Sequence, residues 1–127
     1  MNHWPKPGSI VSVPAYILFW HKGIVSDRWC DGKPLVISAS ARVGCGAEES
    51  WDLFSSGQQW RDEGYPGSLQ PSQVLERARS LLGKPYDAFS WNCDMFVLAC
   101  HGLSPVSVQL LLALVVAAAG AALAIAR

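Results

Sequence analysis

Apolar residues in the first half of the chain form short segments separated by turn residues, a pattern typical of strands. Pro14 closes the first segment, and Asp31-Gly32 is a hairpin signal before the third. A Gly-, Ser- and Gln-rich stretch over residues 55–67 favours an exposed loop. The predicted strands cover residues 9–13, 16–25 (ending at Ser26-Asp27), 35–38 and 47–53.

Two segments in the second half predict helices. Apolar residues recur at helical spacing over residues 71–82, where Gly83 suits a C-terminal cap and Pro85 forbids continuation. A second helix is expected over residues 92–101 and ends at Gly102. Together with the strands, these helices predict an α+β fold, an antiparallel sheet of three to five strands with two helices packed on it.

The end of the chain is its most apolar part. Residues 106–126 are Val, Leu, Ala, Ile and Gly apart from Ser107 and Gln109. About 20 apolar residues at about 1.5 Å each span the roughly 30 Å hydrocarbon core of a bilayer. We therefore expect a transmembrane helix. A buried core helix or an Ala-rich tail is the alternative, but a core helix usually keeps a polar face, which this segment lacks after Gln109.

This segment predicts two parts, a folded domain over residues 1–103 and an anchor over residues 104–127. The N-terminus lacks the charged-then-apolar order of a signal peptide. Residues 105–126 are therefore expected to hold the protein in a bilayer as a single C-terminal pass, with the domain on the cytosolic side. Ala113, Ala117 and Ala121 recur at intervals of four and would allow two such helices to pair in a homodimer.

Charge and cysteine spacing restrict the function further. Without Arg127 the chain has nine basic and ten acidic residues, a formal charge of −1. This charge does not favour nucleic-acid binding or attraction of a polybasic segment to anionic lipid. The cysteines at positions 30, 45, 93 and 100 form no CxxC pair, so neither a zinc site nor another cofactor is expected. Disulfides are not expected in a reducing compartment. The pattern favours one reactive thiol and three passive ones.

Cys93 is the candidate nucleophile. Asn92 is among the best N-cap residues, which places Cys93 at the first position of its helix. The helix dipole there would lower the pKa of the thiol, and the first-turn amides could receive an oxyanion. A lone helix cysteine is more often inert packing, which is the role we expect for Cys100.

His21 is the candidate general base. It lies in an apolar strand two residues before Gly23, where a glycine leaves room for close approach. A satisfied core or edge histidine is the alternative, and His3 and His101 are expected to be structural. Ser38 on the next strand is the candidate third residue that would hold the imidazole tautomer. Because an imidazolium cannot accept the thiol proton, activity should be lost at low pH.

The order of these motifs resembles a known family. Residues 7–11, 21–25, 83–87 and 92–97 look like successive motifs of the lecithin:retinol acyltransferase-like branch of the NlpC/P60 superfamily. In that family a histidine in an H-x-G-I strand pairs with the cysteine of an N-C-E-H-F-V helix. Here the helix motif is Asn92-Cys93-Asp94-Met95-Phe96-Val97, and the resemblance covers roughly residues 5–101.

The resemblance implies a circularly permuted papain-like fold. Cys93 would be the nucleophile, His21 the base, a polar residue on the next strand the orienter, and a thioester the intermediate. Two positions depart from the family pattern. Asp94-Met95 replaces the usual E-H, and Ser38 stands where a histidine is common.

The family suggests several activities. Animal members move fatty acyl groups from phospholipids to retinol, amines or water, several of them end in a membrane helix, and other relatives cleave cell-wall peptides. Our leading hypothesis is a membrane-anchored thiol acyltransferase or hydrolase that acts on an amphiphilic acyl substrate. A cysteine peptidase or amidase acting on peptidoglycan or a protein modifier is the alternative. A non-catalytic membrane adaptor is the third possibility.

Overall fold

The computed structural model describes residues 3–16 and 19–126, without the side chains of Tyr16 and Ala126. The described residues leave out Ile17 and Leu18, which belong to the predicted second strand. They also leave out positions 1 and 2 of the predicted domain and position 127 of the predicted anchor. The elements in the described residues are β1 (Ile10–Tyr16), β2 (Phe19–Cys30), β3 (Lys33–Ser40), β4 (Cys45–Glu49), α1 (Trp51–Ser55), β5 (Arg61–Gly64), α2 (Pro71–Ser80), α3 (Cys93–Cys100) and α4 (Val108–Ala126). The five described strands form one antiparallel sheet in the order β4-β3-β2-β1-β5, so the predicted α+β class is confirmed.

The β2–β3 hairpin forms at the predicted turn. Cys30 pairs with Lys33, and Asp31 and Gly32 between them have φ values of 52° and 77°. Positive φ at both central residues is the type I′ geometry, which matches the twist of the flanking strands. The predicted end of the second strand at Ser26-Asp27 is wrong, because a turn this tight allows pairing to continue to its edge.

Pro14 does not close β1, contrary to the prediction. The strand continues to Tyr16, and Pro14 pairs with Trp20 of β2. Val25 bonds to the β1 side through both its N–H and its C=O, so by alternation Trp20 directs its backbone groups away from β1. Pro14 and Trp20 are thus a pair that exchanges no backbone hydrogen bonds. The missing N–H of Pro14 therefore removes no hydrogen bond from this ladder.

Two further predictions in the middle of the chain are wrong. Residues 51–53 belong to α1 rather than to a strand, because the Ser50 hydroxyl accepts the Leu53 N–H and begins a helix. The predicted loop over residues 55–67 contains β5, which pairs with β1 at the edge of the sheet. An edge strand held by backbone pairing needs no apolar alternation, and Arg61–Gly64 has none.

Each face of the sheet carries its own core. One face packs against α2 and α3 through Ile24 and Ile37, and the other packs against α1 through Val25 and Val36. Side chains alternate along a strand. His21 therefore belongs with Val25 to the α1 face.

The helices lie close to their predicted positions. α2 ends within two residues of the predicted end, and Gly83 adopts a φ of 81° beyond it. α4 is long and apolar enough to cross a membrane, and its span Val108–Ile125 is not buried against the rest of the protein.

Candidate active site

Asn92 caps α3, as the sequence predicts. Its Oδ1 accepts the Met95 N–H at 3.2 Å, and its side-chain amide donates to the Ala88 carbonyl at 3.0 Å. Cys93 is therefore the first residue of the helix, and its side chain is partly buried. The backbone amides of the first helical turn surround this position.

The thiol of Cys93 lies where the sheet divides. The β2–β3 ladder begins at Ile24↔Ile37, whereas β2 stays paired with β1 as far as Phe19. Trp20 and Lys22 direct their backbone groups toward the side that β3 has left. The Cys93 thiol donates to the Trp20 carbonyl at 3.6 Å, and the Lys22 N–H bonds to the sulfur. The sulfur thus flanks the backbone of His21.

The His21 side chain is held on the α1 face. Its ring centroid lies 4.8 Å from that of Phe54, and its Nε2 lies 3.4 Å from the Ser38 hydroxyl. Gly23 makes this packing possible, since a Cβ there would lie 2.4 Å from Val36 Cγ1 and 2.9 Å from Phe54 Cε1. The expected proximity of His21 and Ser38 is present. Among the described residues, however, the hydrogen bond of the Cys93 thiol goes to Trp20 rather than to the imidazole.

Cys93 and His21 nevertheless line one cavity of about 560 Å³. It occupies the end of the sheet where β2 and β3 separate, so that groups from both faces reach it. Its walls are largely apolar, with Arg42 among the polar residues. Its apolar residues include Phe19, Leu53, Phe89, Leu110 and Ala113, the last two from α4.

Burial determines the protonation of both groups. Burial, with the charge of Arg42 adding to it, lowers the pKa of His21 to about 4. Burial also raises the pKa of the Cys93 thiol and outweighs the N–H groups of Lys22 and Asp94, which favour the thiolate. The expected lowering of the Cys93 pKa is therefore wrong. The resting pair consists of a neutral thiol and a neutral imidazole.

The other cysteines and histidines lie apart from this cavity. Cys100 is buried in the core, and burial raises its pKa to about 12. His101 is buried, with Nε2 2.8 Å from the Gly8 carbonyl oxygen, and His3 is exposed. Over residues 3–16 and 19–126, no group of three or more His, Cys, Asp or Glu side chains has the arrangement of a metal site.

The sequence reasoning missed the contact between α4 and the candidate site. Asp94, next to Cys93, accepts hydrogen bonds from Ser107 and Gln109 and forms an ion pair with Lys22. The available signal was that Ser107 and Gln109 alone interrupt the apolar run of residues 106–126. Their partner could not be inferred, because nothing local links them to Asp94.

Comparison with models of known protein families finds no match, and comparison with curated proteins finds none either. The resemblance to the NlpC/P60 superfamily therefore stays a prediction, based on the motifs around His21 and Cys93.

Proposed function

We propose that the protein is a membrane-anchored thiol acyltransferase or hydrolase with a permuted papain-like NlpC/P60 domain, working through an acyl-thioester on Cys93. One observation carries the proposal. A thiol at a helix N-terminus, an imidazole with a hydroxyl behind it and the start of an apolar helix all line one cavity. His21 is the general base and Ser38 holds its ring.

The proton begins on the thiol. A neutral imidazole that donates from Nε2 to the Ser38 hydroxyl presents a lone pair on Nδ1. The thiol leaves the Trp20 carbonyl by rotation about its Cα–Cβ bond and passes its proton to Nδ1. Catalytic hydrogen bonds are often absent before substrate binds and form in the complex. The low pKa of His21 makes the resulting imidazolium a strong proton donor.

Two acyl-transfer steps follow. The thiolate attacks the acyl carbonyl and a C–S bond forms. As the ester C–O bond breaks, the leaving alcohol takes the proton from His21. Water, an amine or another alcohol then attacks the thioester and gives its proton to His21. The C–S bond breaks, and the leaving sulfur takes that proton back to restore the thiol. In each step the oxyanion faces the first-turn amides of α3, beyond the Met95 N–H that Asn92 occupies.

The wall of the cavity favours a lipid substrate. Phe19, Leu53 and Phe89 present apolar surface, and Leu110 and Ala113 extend that wall onto α4. A helix held in the bilayer would keep the cavity at the membrane surface, which raises the effective concentration of lipid without a further binding contact. In this proposal residues 105–126 anchor the protein and the domain faces the cytosol.

Homodimer formation through Ala113, Ala117 and Ala121 remains a separate prediction. Because Ala113 lines the cavity, a partner helix would have to pair at Ala117 and Ala121.

The substrate class is tested by giving the full-length protein a choice. Vesicles of phosphatidylcholine and a set of acylated peptide amides are incubated separately with the protein, and the loss of each substrate is measured. We expect phospholipid to be consumed by the wild type and by Cys30→Ala, whose exposed thiol lies outside the cavity, but not by Cys93→Ala. Consumption of peptide amides alone would support the peptidase alternative. Equal lipid consumption by Cys93→Ala would exclude the thioester route.

A further inference from the structure

We propose that Gln109, in the first turn of α4, is a positioning residue. Its side-chain amide takes the place of the missing β3 partner beside Trp20 and joins the segment that carries His21 to the helix that begins with Cys93. The catalytic meaning of this contact rests on the proposed function, whereas the contact itself and its effect on the Cys93 thiol do not.

Gln109 binds Trp20 as a neighbouring strand would. The Trp20 N–H donates to Gln109 Oε1 at 2.5 Å, and Gln109 Nε2 donates to the Trp20 carbonyl at 3.0 Å. Two opposite hydrogen bonds to one residue are the unit of an antiparallel ladder. The ladder with β3 begins only at Ile24. The amide therefore extends the pairing of β2 past the point where the sheet divides.

The same amide reaches the helix of the candidate nucleophile. Gln109 Nε2 also donates to Asp94 Oδ1 at 3.0 Å, and Ser107 donates to Asp94 Oδ2 at 2.7 Å. Lys22 Nζ lies 3.1 Å from Asp94 Oδ1, and the Asp94 side chain is 5% exposed. Burial alone would raise the pKa of Asp94, but these partners hold it below its usual range. Hydrogen bonds to an ionised, shielded carboxylate are among the strong ones.

The position of Gln109 gives these contacts a consequence for the site. Trp20 precedes His21 in β2, and Asp94 follows Cys93 in α3, so one side chain bridges the neighbours of both. An amide is unfavourable in lipid unless it is paired. In the first turn of α4 the Gln109 amide is paired, because Trp20 and Asp94 bind it at the wall of the cavity.

The Cys93 thiol reports on this arrangement. Among the described residues, the charged or titratable groups around it are His21 and Lys22 on β2, Arg42 after β3, Tyr86 before α3 and Asp94 on α3. The Lys22 N–H bonds to the sulfur and favours the thiolate. Without Gln109, the backbone around Trp20 is released from α3, this N–H moves away from the sulfur and the thiolate becomes harder to form.

The test compares Gln109→Met with Leu112→Met in the full-length protein held in phosphatidylcholine vesicles. Leu112 is exposed on the same helix and lines no part of the cavity. The rate of Cys93 alkylation by iodoacetamide is followed against pH by mass spectrometry of the peptide. For Gln109→Met we expect a rate about tenfold lower at pH 7, the effect of losing one hydrogen bond to a charged group. The pH profile should move up by about one unit, with an unchanged limiting rate at high pH. Leu112→Met should match the wild type.

A lower melting temperature with an unmoved pH profile would mean that Gln109 is merely structural, and would overturn the inference. If Gln109→Met does not fold, Ser107→Ala removes a single donor to Asp94 and should move the profile in the same direction, and an unmoved profile would again overturn it. Alkylation requires no acyl substrate, so it tests the positioning role separately from the proposed function. If Gln109→Met shifts the profile but the wild type forms no acyl-enzyme, the positioning role is supported and the proposed function is contradicted. If the profile is unshifted but the wild type forms an acyl-enzyme, the positioning role is contradicted and the proposed function is supported.

Discussion

Cys93 occupies a position where two opposing effects act on one thiol. The helix N-terminus and the N–H groups of Lys22 and Asp94 favour the thiolate, whereas burial favours the thiol, and burial is the larger effect. The sequence reveals the first effect, because Asn92 marks the start of a helix. It cannot reveal the second, because burial of this side chain depends on packing against β2, which is distant in sequence.

The neutral state of His21 determines how acylation should depend on pH. With a pKa of about 4, the imidazole can accept a proton across the whole range from pH 5 to 8. The raised pKa of Cys93 keeps the thiol protonated over the same range, so the reacting pair of neutral thiol and neutral imidazole is present throughout. We expect the rate of acyl-enzyme formation to stay level from pH 5 to 8 and to be lost through His21 protonation only near pH 4.

The measurement is the rate of acylation by a soluble activated ester at constant ionic strength. A profile that falls below pH 6.5 and is level above it would mean that His21 titrates at its ordinary pKa, and would contradict this picture. His21→Gln should be slower at every pH, because the amide cannot take the thiol proton.

At the scale of elements, local signals were predictable and long-range pairing was not. Asn92, Gly83 and Asp31-Gly32 act on their own neighbours, and each lies at the expected cap or turn. β5 has no apolar pattern and exists because β1 offers it a backbone edge. The separation of β2 from β3 beside His21 likewise has no local signature, so the sequence predicted the candidate residues but not the gap that receives the sulfur.

Gly23 provides a test of how the α1 face holds His21. In Gly23→Ala the added Cβ would clash with Val36 and with Phe54, which contacts the imidazole. We expect a loss of about 1–3 kcal/mol in the free energy of unfolding, as for other overpacked cores, together with slower acylation. Thermal unfolding in detergent micelles measures the first effect.

Gly120→Ala is the matched control, since a Cβ at that position meets no atom within 4 Å. It should unfold at the wild-type temperature and acylate at the wild-type rate. Equal stability of the two variants would show that the tight packing around Gly23 does not constrain the site.

At the scale of the whole molecule, the apolar helix and the folded domain are joined at the candidate site. The predicted division at residues 103 and 104 separates them in sequence, yet Ser107 and Gln109 bond to Asp94. Hydropathy alone predicts the helix, because about 20 apolar residues are sufficient to span a bilayer. It contains no information about which surface of the domain the helix begins from.

Insertion of α4 into a bilayer can be tested by a charge at its middle. Val115→Arg places an arginine on an exposed position of the span, at a cost of about 2.5–3.5 kcal/mol for insertion. We expect this variant to separate from phospholipid vesicles on flotation. Val43→Arg adds the same charge to an exposed turn of the domain and should float with the vesicles. Flotation of both variants would contradict a membrane-spanning role for α4.

A thioester on Cys93 can be detected by mass spectrometry of the peptide that carries this residue. The full-length protein is incubated with phosphatidylcholine vesicles, quenched in acid and digested, with and without neutral hydroxylamine. We expect a fatty acyl mass on the peptide that carries Cys93 and its removal by hydroxylamine, while Cys100 stays unmodified. An unmodified Cys93 under turnover, or an acyl group on Cys100 instead, would contradict it.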